Sequence, residues 1–493
     1  MINFFRDIVA RTNVMLSLYL LFTACGGTAS AQFNDNTPRP QFSLQNWKSH
    51  TSMVNARDVV ADTSGRLWVA TGGGIFSVKR QTKEYQQLRN TEGLLSLDVT
   101  SLAFHERSNT LYAGTFDGFI EVYSLTDFHW RHILDIQAAA STYPRRSIHH
   151  ILFRGDTAFL ATDFGVALFD ISRGVFIETI DRIGTLNQKT AVWKMVLTSD
   201  SLIIATDGGV YAAPLATPTL RVPDIWQRLP VRGGDTLRAC KDVCRAAGGQ
   251  LFACNATGVY EWKQDTFRLV RTQSSPSSPH TSLANINGAV YYATRDRIAR
   301  IDETDAITDF PSTVNGITAI HYDDTTRLGI LYFTCGVGIA PHAPSATYVP
   351  NSMYSNRVQR VCVDAAGRAW TATSNRNLDG QGISCFDGFT WYNANSTLLK
   401  GFPGDASWRI SATPDSSVWA STWGDGILEC KLGDSAIVVK QYTSANSLFT
   451  GISGSPNYVL GGDATGDRNK TSWIVNFDPT NACLLYTSDA ADD

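Results

Sequence analysis

The ten residues Asp62 to Thr71 read DTSGRLWVAT, and far downstream Asp364 to Thr373 read DAAGRAWTAT, with Asp, Gly, Arg, Trp, Ala and Thr at the same offsets. A unit that recurs along a chain does not bury its own apolar face and must stack on its neighbours. Weaker copies align on the Thr71 position at Thr115, Thr162, Thr206, Asn255, Thr294, Cys335, Thr373, Thr422 and Asn476, which makes ten units spaced 45 residues apart on average. Three residues before each stands an anchor, usually aromatic, as at Trp68, Tyr112, Phe159, Tyr291, Trp370 and Trp419. A period near 45 with four strands per unit is that of a β-propeller. Helical repeats of similar length need apolar residues at i, i+3 and i+4 over ten or more positions. Here the apolar runs are short, β-branched and broken by Gly and Asp, so the fold class is all-β.

The seventh unit shows the four-strand reading: Ile317 to Tyr322, Leu331 to Thr334, Gly338 to Ala340, and Thr347 to Val349. A glycine between the second and third strands (Gly73, Gly118, Gly165, Gly208, Gly258, Gly338, Gly426) suits a tight turn at positive φ. The aromatic anchors read as wedges between sheets, where their area is buried, in preference to ligand contacts. Charged residues make up only 18% of the chain and net charge is −3, which gives no nucleic-acid footprint. Beyond the first 25 residues nothing approaches a membrane-spanning apolar run.

Residues 1–31 read as an export signal, with Arg6 and Arg11 before the apolar stretch Val14 to Ala24 and an A-x-A site at Ala29-Ser30-Ala31. A rival lipoprotein site lies at Phe22-Thr23-Ala24-Cys25; cleavage after Ala31 is preferred because the usual Leu of that box is Phe here. Phe42 to His50 reads as a lone outer strand, expected to close the sheet around Ile317 to Ala340 and so remove an exposed edge. Ten units exceed the usual four to eight blades of one ring. The expected division is a seven-bladed propeller over 42–350 and three blades of a second over 351–482. Residues 483–493, CLLYTSDAADD, leave the pattern and resemble a translated sequencing adapter.

The chain has no G-x-S-x-G, H-E-x-x-H, phosphate-cradling or dinucleotide motif, so no catalytic residue and no cofactor is expected. His129 and His132 fall in an expected outer strand, and His149-His150 opens an inner strand, where adjacent side chains face opposite ways; solvated histidines are the preferred reading of both pairs. Asn375, Asn377 and Asp379 place oxygen-bearing side chains at alternate positions before Gly380, as calcium loops do. No Glu stands at the twelfth position, and a turn held by its own Asn side chains is preferred. This loop and Trp423-Gly424-Asp425 lie on one face of the second ring, where repeat proteins usually bind. Cys240 or Cys244 with Cys254, and Cys362 with Cys385, are possible disulfides in an exported chain; buried free thiols are the equal alternative.

The D-x-x-G-R-x-W-x-A-T units resemble the two-component-regulator propeller repeat. Gly93-Leu94-Leu95-Ser96, Val99 to Phe104 and Leu111 to Val122, with the opening Asn46 to His50, resemble the PorZ-like family of type IX secretion components. The resemblance spans about 42–480, and its PorZ-specific part is one blade and the opening strand. It implies two seven-bladed propellers and a β-sandwich sorting domain at the cell surface, in an attachment complex beside a sortase. It also implies binding of an anionic lipopolysaccharide, and it carries over no catalytic residue. Arg145-Arg146 and Arg295 with Arg297 are basic groups within reach of such a ligand, although turn charges are their plainer reading. The competing class is the periplasmic sensor of a hybrid histidine kinase, binding an oligosaccharide between its rings. A lyase propeller lacks the paired carboxylates it would need.

Overall fold

The computed structural model describes residues 47–488 except 234–236, 247–248, 273–279, 287–288, 295–296, 303–305, 312–316, 324–327, 334–335, 340–346, 374–379, 415–416, 467–471 and 478–483. The fold is all-β and propeller-like. Antiparallel sheets follow one another along the chain, and we number them 1 to 10: 56–88, 99–133, 148–180, 192–228, 242–272, 280–311, 317–348, 360–394, 407–442 and 459–488. The first nine have four strands in chain order and the tenth has three; Trp423 and Gly424 of sheet 9 also pair with Leu460 and Val459 of sheet 10.

Each sheet shares an apolar core with the next. Trp68 and Ile75 of sheet 1 meet Val99 and Leu111 of sheet 2, and Tyr112 and Ile120 of sheet 2 meet Ile151 and Leu160 of sheet 3. The series continues through sheets 3 to 7. Met53, Phe76 and Val78 of sheet 1 then pack with Val337, Ala319 and Tyr348 of sheet 7. Sheets 8 and 9, and 9 and 10, are joined likewise. The inner strand of sheet 8 leaves Val361 and Val363 exposed, at 57% and 61%.

The repeated motif has a local cause. Asp62 accepts the N–H of Ser64 (2.9 Å) and of Arg66 (3.1 Å) on one oxygen, and the indole N–H of Trp68 (2.9 Å) on the other. Asp364 does the same for Ala366, Arg368 and Trp370, at 3.0, 3.0 and 2.8 Å. Gly65 and Gly367 hold the turn at φ +77° and +79°, where a side chain is strained. The repeat Thr organises the next turn: Thr206 donates to the carbonyl of Gly209 (2.8 Å) and accepts the N–H of Gly208 (3.1 Å), and Thr71 and Thr162 repeat the pattern.

The structure bears on four of the expectations. No strand forms over residues 47–50, and residues 42–46 lie outside the described part; the fourth strand of sheet 7 is Thr347–Tyr348, paired with Gly338 and Val337. An apolar core joins sheets 1 and 7. His50 instead packs on Phe386 and accepts the indole N–H of Trp391. Positive φ occurs at Gly118, Gly165 and Gly426, whereas in sheets 1 and 4 it falls at Gly74 and Gly209, the third residue after the repeat Thr as at Gly165, and not at Gly73 and Gly208. Gly258 stays out of that region and Gly338 lies inside a strand. Leu484–Ser488 pairs with Ser472–Phe477. Cys240, Cys244, Cys254, Cys362, Cys385 and Cys430 are all free thiols. Cys362 and Cys385 both pair with Trp370, from the two strands on either side of it, so a whole strand separates them.

Candidate functional site

The inner strands share an irregularity that builds a site. In sheets 1, 2, 3, 4, 6, 7 and 9 the register between inner and second strand skips one residue: Arg57, Thr100, His149, Trp193, Thr281, Thr318 and Trp408 respectively. A bulge of this kind re-aims the extra side chain away from the sheet. The residue after it turns the other way and fastens the next sheet. Asp58 accepts the N–H of Leu102 at 2.8 Å and His150 that of Met195 at 3.3 Å; in sheet 5, whose register has no skip, Asp242 likewise accepts the N–H of Leu283 at 2.9 Å.

The bulged residues of sheets 1 to 4 meet at one mouth. Arg57, Thr100, His149 and Trp193 line a cavity of about 540 Å³ together with Phe116, Arg145, Arg146 and Asp163. In sheets 3 and 4 the side chain that faces the bulge comes from the residue just after the repeat Thr. His149 Nε2 lies 3.1 Å from Asp163, and Trp193 donates its indole N–H to Asp207 at 2.8 Å. Lys241, at the matching place in sheet 5, lies 3.3 Å from the centre of the Trp193 ring and 3.2 Å from Asp207. The His149 ring covers the Trp193 ring at 4.3 Å.

Electrostatics fix this array. Burial opposes the charge of Asp163, but hydrogen bonds from His149 and the Ser147 N–H, with the charge of Arg145, hold its carboxyl below the usual range. Arg145 donates to Asp163 at 3.1 Å while remaining exposed itself. Arg57 is paired with Asp98. Among the described residues no group of three metal-ligating side chains converges, and no helix is long and apolar enough to cross a membrane.

Of the residues singled out in the sequence, Trp423 and Asp425 stand at the equivalent rim of sheet 9. Trp423 follows the repeat Thr422 and packs on the bulge residue Trp408 with ring centres 5.1 Å apart, and the Arg409 guanidinium lies 4.6 Å from the Trp408 ring. The indole nitrogens of Trp408 and Trp423 have no hydrogen-bond partner among the described residues. Burial, and then Asp405, push the Asp425 carboxyl up. Asn375, Asn377 and Asp379, and with them the calcium alternative, lie outside the described residues, as does Arg295. His132 sits in the outer strand of sheet 2, paired with the buried Glu121. The first mouth brings together Arg145, Arg146 and His149, named from the sequence, with Arg57, Thr100, Phe116 and Trp193, which were not. Its signal is a side chain 13 to 15 residues before each repeat Thr, just ahead of the polar residues Asp58, Ser101, His150, Lys194 and Asp242.

Consecutive four-stranded sheets with shared cores and a mouth lined by inner-strand bulges define a β-propeller protein. Within that class, residues 67–227, sheets 1 to 4 from the second strand on, match the family described as the PorZ N-terminal β-propeller domain of type IX secretion. The solved structure of PorZ from Porphyromonas gingivalis is similar over 90% of this chain and 60% of its own, with a TM-score of 0.68 and 16% identity. This chain thus spans about 60% of the length of that structure. The extracellular domain of BT4673 from B. thetaiotaomicron aligns with a TM-score of 0.48 and 14% identity, over 89% of this chain and 58% of its own. No curated protein matches the chain by sequence.

Proposed function

We propose that the chain is an exported, non-catalytic β-propeller scaffold of the type IX secretion machinery at the cell surface. In this reading it binds an anionic lipopolysaccharide or related glycan and the proteins of a sortase-containing attachment complex. Residues 1–31 direct export, 42–350 form a seven-bladed ring, and 351–482 supply blades of a second. The observation that carries the reading is the match of residues 67–227 to the PorZ propeller family. The similar P. gingivalis protein is described as an essential bacterial surface component of that system. The rim supports a role in gripping: Lys241 and Asp207 pair across sheets 5 and 4, and Trp193 is pinned by Asp207, His149 and Lys241, which favours holding a ligand over turning one over.

The test is deletion of the gene in its host with complementation, followed by fractionation of type IX cargo. Cargo retained in the periplasm and restored to the surface by the gene supports the reading. Normal surface cargo, with altered transcription in response to an oligosaccharide, would overturn it in favour of the kinase-sensor class.

A further inference from the structure

The mouth of sheets 1 to 4 carries features that pairing among its own residues does not explain. Arg146 donates Nε to the carbonyl of Asp117 (2.9 Å) and Nη1 to that of Pro144 (3.1 Å), and among the described residues it meets no carboxylate. Two carbonyls fix the guanidinium at the cavity wall without neutralising its charge. Phe116, beside Asp117 on the same wall, is 58% exposed. Exposing an aromatic ring of this size costs apolar burial, and placing it inside a cavity makes it a platform for an apolar face.

The cavity is also part of something longer. It shares Arg57 and Asp117 with a groove of about 880 Å³ reaching Asn356 and Arg357, and Arg145 and Asp163 with one of about 480 Å³ reaching Lys189 and Asp207. The central volume falls in the roughly 300–1,000 Å³ range of small-ligand sites. Four carboxylates (Asp98, Asp117, Asp163, Asp207) line the run. Arg57, Arg145, Arg146, Lys189 and Arg357 line it as well, and the carboxylates accept hydrogen bonds from hydroxyl groups. A ligand that fits brings hydroxyls, a flat apolar face and an acid group for Arg146.

We propose that this mouth is a saccharide site for an acidic sugar, with the acid group on Arg146, a pyranose face on Phe116 and hydroxyls on the flanking carboxylates. The proposal rests on the glycan-binding part of the function proposed above and locates it on the first ring, away from the Trp408–Trp423 rim. A charge-assisted contact to a guanidinium distinguishes the acidic ligand from its neutral counterpart.

The test is calorimetric titration of the full chain with two matched pairs: hyaluronan tetrasaccharide against chitotetraose, and maltotriose with and without a 6-phosphate. The two acidic probes separate carboxylate from phosphate. We expect the wild type to prefer an acidic member by about tenfold or more. Arg146→Gln removes that preference, Phe116→Ala weakens both members alike, and Asp434→Asn, at an exposed turn of sheet 9, changes neither. Both mouth substitutions are at solvent-accessible side chains, and an unchanged melting curve confirms that each variant folds. Undiminished preference in Arg146→Gln would place the site elsewhere while leaving the secretion role intact. A wild type that binds neither acidic probe sinks the saccharide site itself, and the cargo assay then decides separately whether the secretion role survives.

Discussion

Trp370 donates its indole N–H to Asp364 at 2.8 Å, six residues back in the chain, and the carboxylate is fully enclosed while doing so. One residue thereby closes a turn, caps a strand and orients the ring that packs between sheets 8 and 9. Trp68 and Asp62 repeat the arrangement at 2.9 Å in sheet 1, so the most legible motif of the sequence is a structural unit and not a ligand site.

Asp62→Ala should therefore destabilise the chain by about 1–3 kcal/mol, the cost of leaving a buried donor unsatisfied, with the lost turn hydrogen bonds adding to it. Asp364→Ala should cost a similar amount. The two sites lie in different sheets with no shared partner, so the double variant should be close to additive. Urea unfolding of the three variants measures this.

Acid should act through the same group. Burial opposes ionisation of Asp364, but hydrogen bonds from Trp370 and Arg368 prevail and its carboxyl lies below the usual range. A carboxyl whose folded value is below the unfolded one, about 3.9, contributes stability that is present above that value and lost as pH falls through the folded one. The difference in urea midpoint between wild type and Asp364→Asn should hold steady from about pH 7 to 5 and shrink below about pH 4.

Gly165 has φ +130°, and a Cβ there would lie 2.0 Å from the carbonyl oxygen of Ile180. Gly165→Ala should cost more than the roughly 1 kcal/mol of an ordinary unfavourable glycine replacement, because backbone must move on both sides of sheet 3. Thermal unfolding, read beside Gly155→Ala, where a Cβ meets nothing within 4 Å, separates the clash from the strain of positive φ.

The thiols should be silent in the folded protein. Burial pushes Cys240, Cys244, Cys254 and Cys430 well up, and Cys362 and Cys385 to about 12, so little thiolate exists to react. Iodoacetamide labelling with peptide mapping should leave these six unmodified under native conditions and modify all six in urea. Mass spectra without reductant should show no peptide cross-linked through any pair of them.

The stacked-sheet class was legible because period, anchor and turn residues are set by local physics repeated ten times. The rim was only half legible. Trp423 and Asp425 stood out because a long turn follows Thr422, whereas Arg57, Thr100 and Trp193 look like ordinary strand residues. A bulge is a register property of two strands, and no single strand's alternation reveals it. The meeting of sheets 1 and 7 was not legible for a related reason: it depends on Met53, Phe76 and Val337 coming together across a long stretch of chain, which no local pattern encodes.

Hydrogen–deuterium exchange of the full chain with and without a bound acidic saccharide tests the rim most directly. We expect protection at the turns around Phe116 to Gly118 and Pro144 to His149, with the outer strands of the sheets and the Trp408–Trp423 rim unchanged. Protection confined to outer strands or to sheet 9, with the first mouth exchanging as in the free protein, would contradict the assignment of ligand binding to the inner-strand bulges.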